Sequence, residues 1–216
     1  QAPLAQPGKA RAVRARYPHH VWMLDLTEIP GLLQLFCFKL VVVLDVFSRM
    51  PLAARVFFAE PSGRDVARLF AATARRFGPP RHSVSDHGVQ FTSRAFRRTL
   101  ARLGVRHRYG AIGRTGSIAI IERFFRTLKA IARFRARPPL LRRDLERRLT
   151  LAFDYYIWLR PHQGLAGATP AEVHLARRPG YLAAVAPPRG RPGERAGIPP
   201  PPFEIRYLDP ERRLPY

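Results

Sequence analysis

The sequence predicts an α/β fold: a mixed five-stranded sheet, three antiparallel strands followed by two shorter strands, flanked by helices. Two observations carry this. Three apolar segments joined by short turns open the patterned part of the chain, and the apolar period then lengthens from that of strands to that of helices, with short strands between the helices. At 216 residues and 46% apolar content, the chain can bury a core without disulfides or structural metal.

The first strand covers 21–29 and is stopped by Pro30-Gly31. Residues 36–47 are apolar on both faces except Lys39 and Asp45, the pattern of a strand covered on both sides. Ser48-Arg49-Met50-Pro51 reads as a turn, and 52–58 as a third strand, which completes an antiparallel meander. Ser62 then caps a helix to about Phe77, with Val66, Leu69, Phe70 and Ala74 on one face, and Gly78-Pro79-Pro80 ends it. A short strand follows at 82–85. Ser93 caps the next helix, whose Phe96, Leu100 and Leu103 are spaced i, i+4, i+7; Gly104 closes it, and 105–109 is the last short strand. A loop over 110–116 leads to a helix from about 117 to 134. A further helix runs from about 140 to 159 on a stripe of Leu141, Leu145, Leu149, Phe153 and Tyr156. Three segments result: a basic arm over 1–20 with Arg11, Arg14 and Arg16, a core over 21–178, and a Pro/Gly-rich tail over 179–216. The tail holds Pro199 to Pro202 and a short strand at 203–208. The chain starts at Gln1 rather than Met, so its natural start is expected further upstream.

Charge sets the class of partner. Lys plus Arg number 38 against 15 Asp plus Glu, a formal balance of +23, and nearly all the cations are Arg. A surface this positive attracts polyanions, and the planar guanidinium fork matches phosphate. Nucleic acid is the expected partner. The single cysteine, Cys37, excludes an intrachain disulfide framework and a cysteine-rich zinc site, which fits a reducing cytoplasm. No apolar run approaches the length of a membrane span, and the first twenty residues lack the apolar region of a signal peptide.

Because acids are scarce, their positions carry information. Asp25 lies within a strand among Trp22, Leu24 and Leu26, where an unpaired carboxylate is costly. Asp86 ends a short strand just before Gly88, where open α/β sheets place ligands. Glu122 lies in a helix among apolar and basic residues. Each has a structural reading as well: a salt-bridged strand residue, a turn former, a surface partner of Arg126. Three carboxylates without an evident structural job point instead to a hard divalent cation, Mg2+ or Mn2+. Asp45 is expected to hold the turn at Ser48-Arg49. Trp22, Phe124 and Phe125 are expected in the core. His19, His20, His82 and His107 lack ligand spacing.

Four segments carry a family resemblance: Trp22-x-x-Asp25-x-Thr27, Val43-Leu44-Asp45-x-x-Ser48-Arg49, Ser85-Asp86-His87-Gly88-x-Gln90-Phe91, and Glu122-Arg123-Phe124-Phe125-Arg126-Thr127-Leu128-Lys129. Between Asp86 and Glu122 stand 35 residues (122 − 86 − 1). Downstream come Tyr156, Arg160-Pro161-His162-x-x-Leu165 and Thr169-Pro170-Ala171-Glu172. Together, over about 20–175, these resemble the retroviral-integrase-type catalytic core of bacterial insertion-sequence transposases. The resemblance implies a ribonuclease-H-like fold and a DDE site. Asp25, Asp86 and Glu122 would be both catalytic residues and ligands of two Mg2+ or Mn2+ ions. Lys129, Arg126, Arg123 and His87 would contact DNA. It also implies cleavage at a DNA 3′ end, strand transfer to target DNA, and a homo-oligomer on DNA; sequence-specific end recognition would belong to an upstream helix-turn-helix domain. Ile157 stands where the family often has Asn. Two other readings share the charge or the acids: a catalytically inactive DNA-binding remnant, and a ribonuclease-H-like nuclease that cuts without joining.

Overall fold

The computed structural model describes residues 15–32, 35–110, 118–134 and 136–176. Most of the basic arm, the loop residues 111–117 and the tail with its expected strand at 203–208 lie outside the described residues. Strands β1 (Val21–Pro30), β2 (Cys37–Asp45) and β3 (Pro51–Phe57) form the expected antiparallel meander. Helix α1 (Gly63–Phe77) then carries the chain across to β4 (His82–Ser85), which pairs parallel with β1. The short helices α2 (Val89–Thr92) and α3 (Arg94–Arg102) lead to β5 (Arg106–Tyr109), parallel to β4. The strand order is β3-β2-β1-β4-β5. Helices α4 (Ile118–Ile131), α5 (Arg142–Asp154) and α6 (Pro170–Ala176) complete the described core.

The two-sided apolar pattern of β2 has a direct structural counterpart. Leu40, Val42 and Leu44 enter one core layer, with Phe124, Leu128, Leu145 and Leu149 of α4 and α5. Val41 and Val43 enter the other, with Val66, Phe70, Phe96 and Leu100 of α1 and α3. Trp22, Phe124 and Phe125 are buried in these layers as expected. Ser62 and Asp65 form a reciprocal capping box at the start of α1, with each side chain accepting the other's backbone N–H. Gly63 beside it lies hard against the N-cap of α3: an added Cβ would stand 2.0 Å from Ser93 Oγ, so only glycine permits this approach.

Several boundaries differ from expectation. The helix expected from 117 to 134 ends at Ile131, because Arg133 takes a left-handed conformation (φ 54°). The next begins at Arg142 rather than 140, since Leu141 is still extended (φ −127°, ψ 155°). It ends at Asp154, and Tyr155–Leu159 continues as a π-helical turn. The last strand starts at Arg106, while Val105 is buried against the α1/α3 layer. Helices α2 and α6, of four and seven residues, are too short to announce themselves by periodicity.

Asp45 does more than hold its turn. Its carboxylate, fully buried, accepts from the Ser48 backbone N–H (2.9 Å) and hydroxyl (2.7 Å) on one oxygen and from the His19 N–H (2.8 Å) on the other. The Ser48 hydroxyl has one proton and gives it to Asp45, so His174 Nδ1, 2.9 Å away, donates to Ser48 Oγ. Thus one carboxylate ties the segment before β1, the β2–β3 turn and α6 together. Burial pushes its carboxyl up, and the donated hydrogen bonds oppose that. Arg49, next in the turn, is left-handed (φ 62°), and its guanidinium donates to the Val46 carbonyl at 2.6 Å. Replacing Asp45 by Ala strands two buried donors and a half-buried one, so urea unfolding should show a loss of about 3 kcal/mol or more; a loss below about 1 kcal/mol would contradict this account.

Candidate active site

Alternation along β1 decides where Asp25 faces. Val21, Met23 and Ile29 enter the layer beneath α4 and α5, so Asp25 and Thr27 lie on that same face, between its apolar positions. Asp25 is half-buried and accepts the Leu26 N–H at 2.8 Å on Oδ1. Parallel register pairs Met23 with Val84, so two residues further on Asp25, within β1, and Asp86, just past the end of β4, stand on adjacent strands. Asp86 Oδ1 accepts the Gly88 N–H at 3.0 Å. An added Cβ at Gly88 would meet this oxygen at 3.1 Å and the Gln90 amide nitrogen at 2.6 Å, so a larger residue there would have to displace the Gln90 side chain.

Helix α4 supplies the third carboxylate. Its buried face carries Ile121, Phe124, Phe125 and Leu128. Phe124 packs edge-on to Tyr156 of the π-helical turn at 5.0 Å between ring centres, which fixes the rotation of the helix about its axis. Glu122, Arg126 and Lys129 then share a face, as their i, i+4, i+7 spacing requires. They line one cleft with Asp25, Leu26, Thr27, Phe125 and Ala130. Lys129 is half-buried there, and burial lowers its ammonium pKa.

The electrostatics of the cleft centre on Asp25. Burial raises its carboxyl to about 7, the Leu26 N–H opposes this, and the charges of Asp86 and Glu122 raise it further. Asp25 therefore feels both other acids, and among the described residues none of the ion pairs involves any of the three. The donor set is oxygen only, as a hard divalent cation prefers. Among the described residues no group of three His, Cys, Asp or Glu side chains stands close enough together to enclose an ion. Thus the structure brings Asp25 and Glu122 into one cleft, with Asp86 near enough to act on Asp25.

The other expected contacts divide. Arg126 and Lys129 are in the cleft. His87 is exposed beside Asp86, stacked on Tyr109 at 4.7 Å between ring centres. Arg123 is exposed and not part of the cleft lining; its charge acts on Arg49, on the side of α4 that meets Tyr156. No sequence pattern marks the bridge behind Asp86. There His107 of β5 reaches both Ser83 Oγ (2.7 Å) and Ser85 Oγ (3.2 Å) of β4, with burial holding the ring's pKa down at about 4. Parallel β4–β5 pairing makes that bridge, and a one-dimensional pattern does not reveal which strands pair.

Comparison with known proteins agrees with this architecture. Residues 15–115 match the family model described as the integrase core domain. A chain of the simian T-cell lymphotropic virus intasome, solved in complex with the PP2A regulatory subunit B56 gamma, is similar at 22% identity with a TM-score of 0.66; the match covers 82% of this chain and 62% of that one. The HTLV-2 integrase catalytic core domain in complex with magnesium is similar at 20% identity with a TM-score of 0.60, over 74% of this chain and 99% of that one. An uncharacterized Caenorhabditis elegans protein, K02A2.6, is 32% identical over 102 residues, which is 47% of this chain and 8% of that protein. The resemblance to the integrase core holds, and the fold is the ribonuclease-H-like fold of retroviral integrase catalytic cores.

The raised Asp25 carboxyl has a measurable consequence. A carboxyl whose folded pKa lies above its unfolded value takes stability away as pH rises from about 4 through about 7. Asp25→Asn keeps an acceptor for Leu26 and removes the charge. In metal-free buffer it should be more stable than the parent at pH 8, by on the order of 2–4 kcal/mol, and no more stable at pH 4. Urea unfolding across that range checks this; a difference that does not change with pH contradicts it.

Proposed function

We propose that this integrase-type chain is the catalytic core of a transposase or integrase, a DDE polynucleotidyl transferase that nicks DNA at a 3′ end and joins that end to target DNA. The observation that carries the reading is the shared cleft: Asp25 and Glu122 line it with the cations Arg126 and Lys129, and Asp86 is close enough to raise the Asp25 carboxyl. In this reading Asp25, Asp86 and Glu122 hold two divalent ions, Mg2+ or Mn2+. When bound, these supply the positive charge that stabilises the attacking and leaving oxygens of an in-line phosphodiester displacement.

The chain's own residues do the rest. Arg126 and Lys129 hold the phosphate backbone at the mouth of the cleft, where their charges offset that of the substrate. His87, exposed beside Asp86, meets the strand on the other side, and Arg123 meets it further from the acids. Asp25 gives up its proton when the cleft is loaded, because cationic charge beside a carboxyl favours its ionised form. Water first cleaves a phosphodiester to leave a 3′-OH and a 5′-phosphate; that 3′-OH then attacks target DNA, forming one phosphodiester as another breaks and releasing a target 3′-OH, so neither step needs a nucleotide cofactor. The partners are transposon-end and target DNA, with a homo-oligomer as the working form. The likeness to a chain of the simian T-cell lymphotropic virus intasome supports the assembly, and the likeness to the HTLV-2 core in complex with magnesium supports the ion. A cytoplasmic setting on bacterial DNA completes the reading. Among the described residues no helix is long and apolar enough to cross a membrane.

The test uses plasmid DNA and a pre-cleaved oligonucleotide end with Mn2+. The wild-type chain should nick and join. Glu122→Gln should reduce both reactions to background while duplex affinity stays within about twofold, since one neutralised acid leaves the basic surface intact. Joining by the Glu122→Gln chain overturns the proposal. Cutting without joining by the wild type leaves a nuclease, and binding without either reaction leaves an inactive DNA-binding remnant.

A further inference from the structure

Strand β5 lies at the edge of the sheet, and its two faces differ. His107 points to the α3 side, where its ring meets Phe96 edge-on at 5.6 Å and bonds the two β4 serines. Successive side chains alternate, so Arg106 and Arg108 leave from the opposite face, and both are exposed. Register pairs Arg106 with His82 and Arg108 with Val84. Val84 packs in the layer beneath α4 and α5, on the face of β1 that also carries Asp25. The arginine pair and the acids therefore share one face of the sheet.

The local field on that face is positive. Arg81 joins the pair through its carbonyl, which accepts the Arg106 N–H at 3.2 Å. His82 feels Arg81, Arg106, Arg108 and His20, and these charges add to burial in lowering its pKa. The surrounding sequence is itself cationic: from residue 87 to residue 121 there is no Asp or Glu, while seven arginines stand at 94, 97, 98, 102, 106, 108 and 114.

We propose that Arg106 and Arg108 form a phosphate-backbone site for duplex DNA on the outer edge of the sheet, separate from the cleft around Asp25. The site takes DNA already engaged at the acids. Val84, the partner of Arg108, precedes Asp86 by two residues, about 7 Å along the strand, and β5 is displaced by about 5 Å. A duplex leaving the acids along this face passes over the arginines. Their planar forks suit phosphate oxygens, and they read no sequence, because backbone contacts position a duplex without specifying it. The proposal rests on the DNA reading of the chain but not on its catalysis.

The salt dependence of duplex binding tests it, because each neutralised phosphate contributes a slope of about −0.9 in log K against log salt. Arg106→Gln/Arg108→Gln should reduce the magnitude of the slope by about 1.8, and each single substitution by about 0.9. Arg106→Lys/Arg108→Lys should restore most of it. A control pair on α1, on the other side of the sheet, Arg75→Gln/Arg76→Gln, should change the slope by less than about half as much. The single variants carry the test if the double variant does not fold. An unchanged slope in the Arg106 and Arg108 variants overturns the proposal. So does an equal loss in the control pair, or the absence of salt-dependent duplex binding by the wild type. Nicking is read separately: a wild type that binds with this slope yet never nicks ends the catalytic reading and leaves the backbone site standing.

Discussion

Strands that run the same way in one sheet finish at the same edge, and β1 and β4 are such a pair at the middle of this one. Asp25 stands in β1 just beyond the stretch paired with β4, and Asp86 follows the last residue of β4. A parallel pair cannot be joined by a tight turn and needs a crossover, which α1 provides. The crossover is held at its start and at its middle. Its capping box defines the start, and Phe70 lies edge-on to Trp22 of β1 at 5.5 Å between ring centres. At the opposite end of the strands, the buried Asp45 fixes His19 just ahead of β1 and Ser48 just after β2. With these in place, the two acids can only be neighbours.

That arrangement is costly in the absence of a cation. Asp25 is half-buried, and two other carboxylates raise its proton affinity. The fold tolerates this because stability comes from elsewhere: two apolar layers clamp β2, and α4 divides its surface between one of them and the cleft. Phe124 and Leu128 face the core, Glu122, Arg126 and Lys129 face the cleft along one line, and Phe125 lies where the two meet. The same helix therefore anchors itself by packing and offers one acid and two cations to the cleft. Neither use compromises the other, since they occupy different sides of one cylinder.

Where local signals were strong, the sequence was legible. The alternation and apolar runs of β1 to β3, the Ser62 and Ser93 caps, and the stop at Gly78 describe neighbours along the chain, and the structure matches them within a few residues. The three acids stood out because so few carboxylates occur in so basic a chain. What escaped depends on residues brought together from afar. Asp45 was readable as the partner of Ser48 three positions on, but its bond to His19 and the link through Ser48 to His174 join positions 26 and 126 residues apart. His107 looked inert because its serine partners belong to another strand. Arg123 shares its helix with Arg126 yet lies toward Arg49, a difference of rotation that only the packing of Phe124 on Tyr156 decides.

The missing Cβ at Gly63 has a mechanical meaning. With the first turn of α1 pressed onto Ser93, the cap of α3 cannot slide or tilt without dragging α1 along. Since α1 packs on β1 through Phe70 and Trp22, and α3 carries Arg94, Arg97, Arg98 and Arg102, this arginine-bearing shoulder and β1 move as one stiff unit. A force on that shoulder is thus transmitted to the strand that carries Asp25 with little slack, instead of being absorbed by a hinge between them.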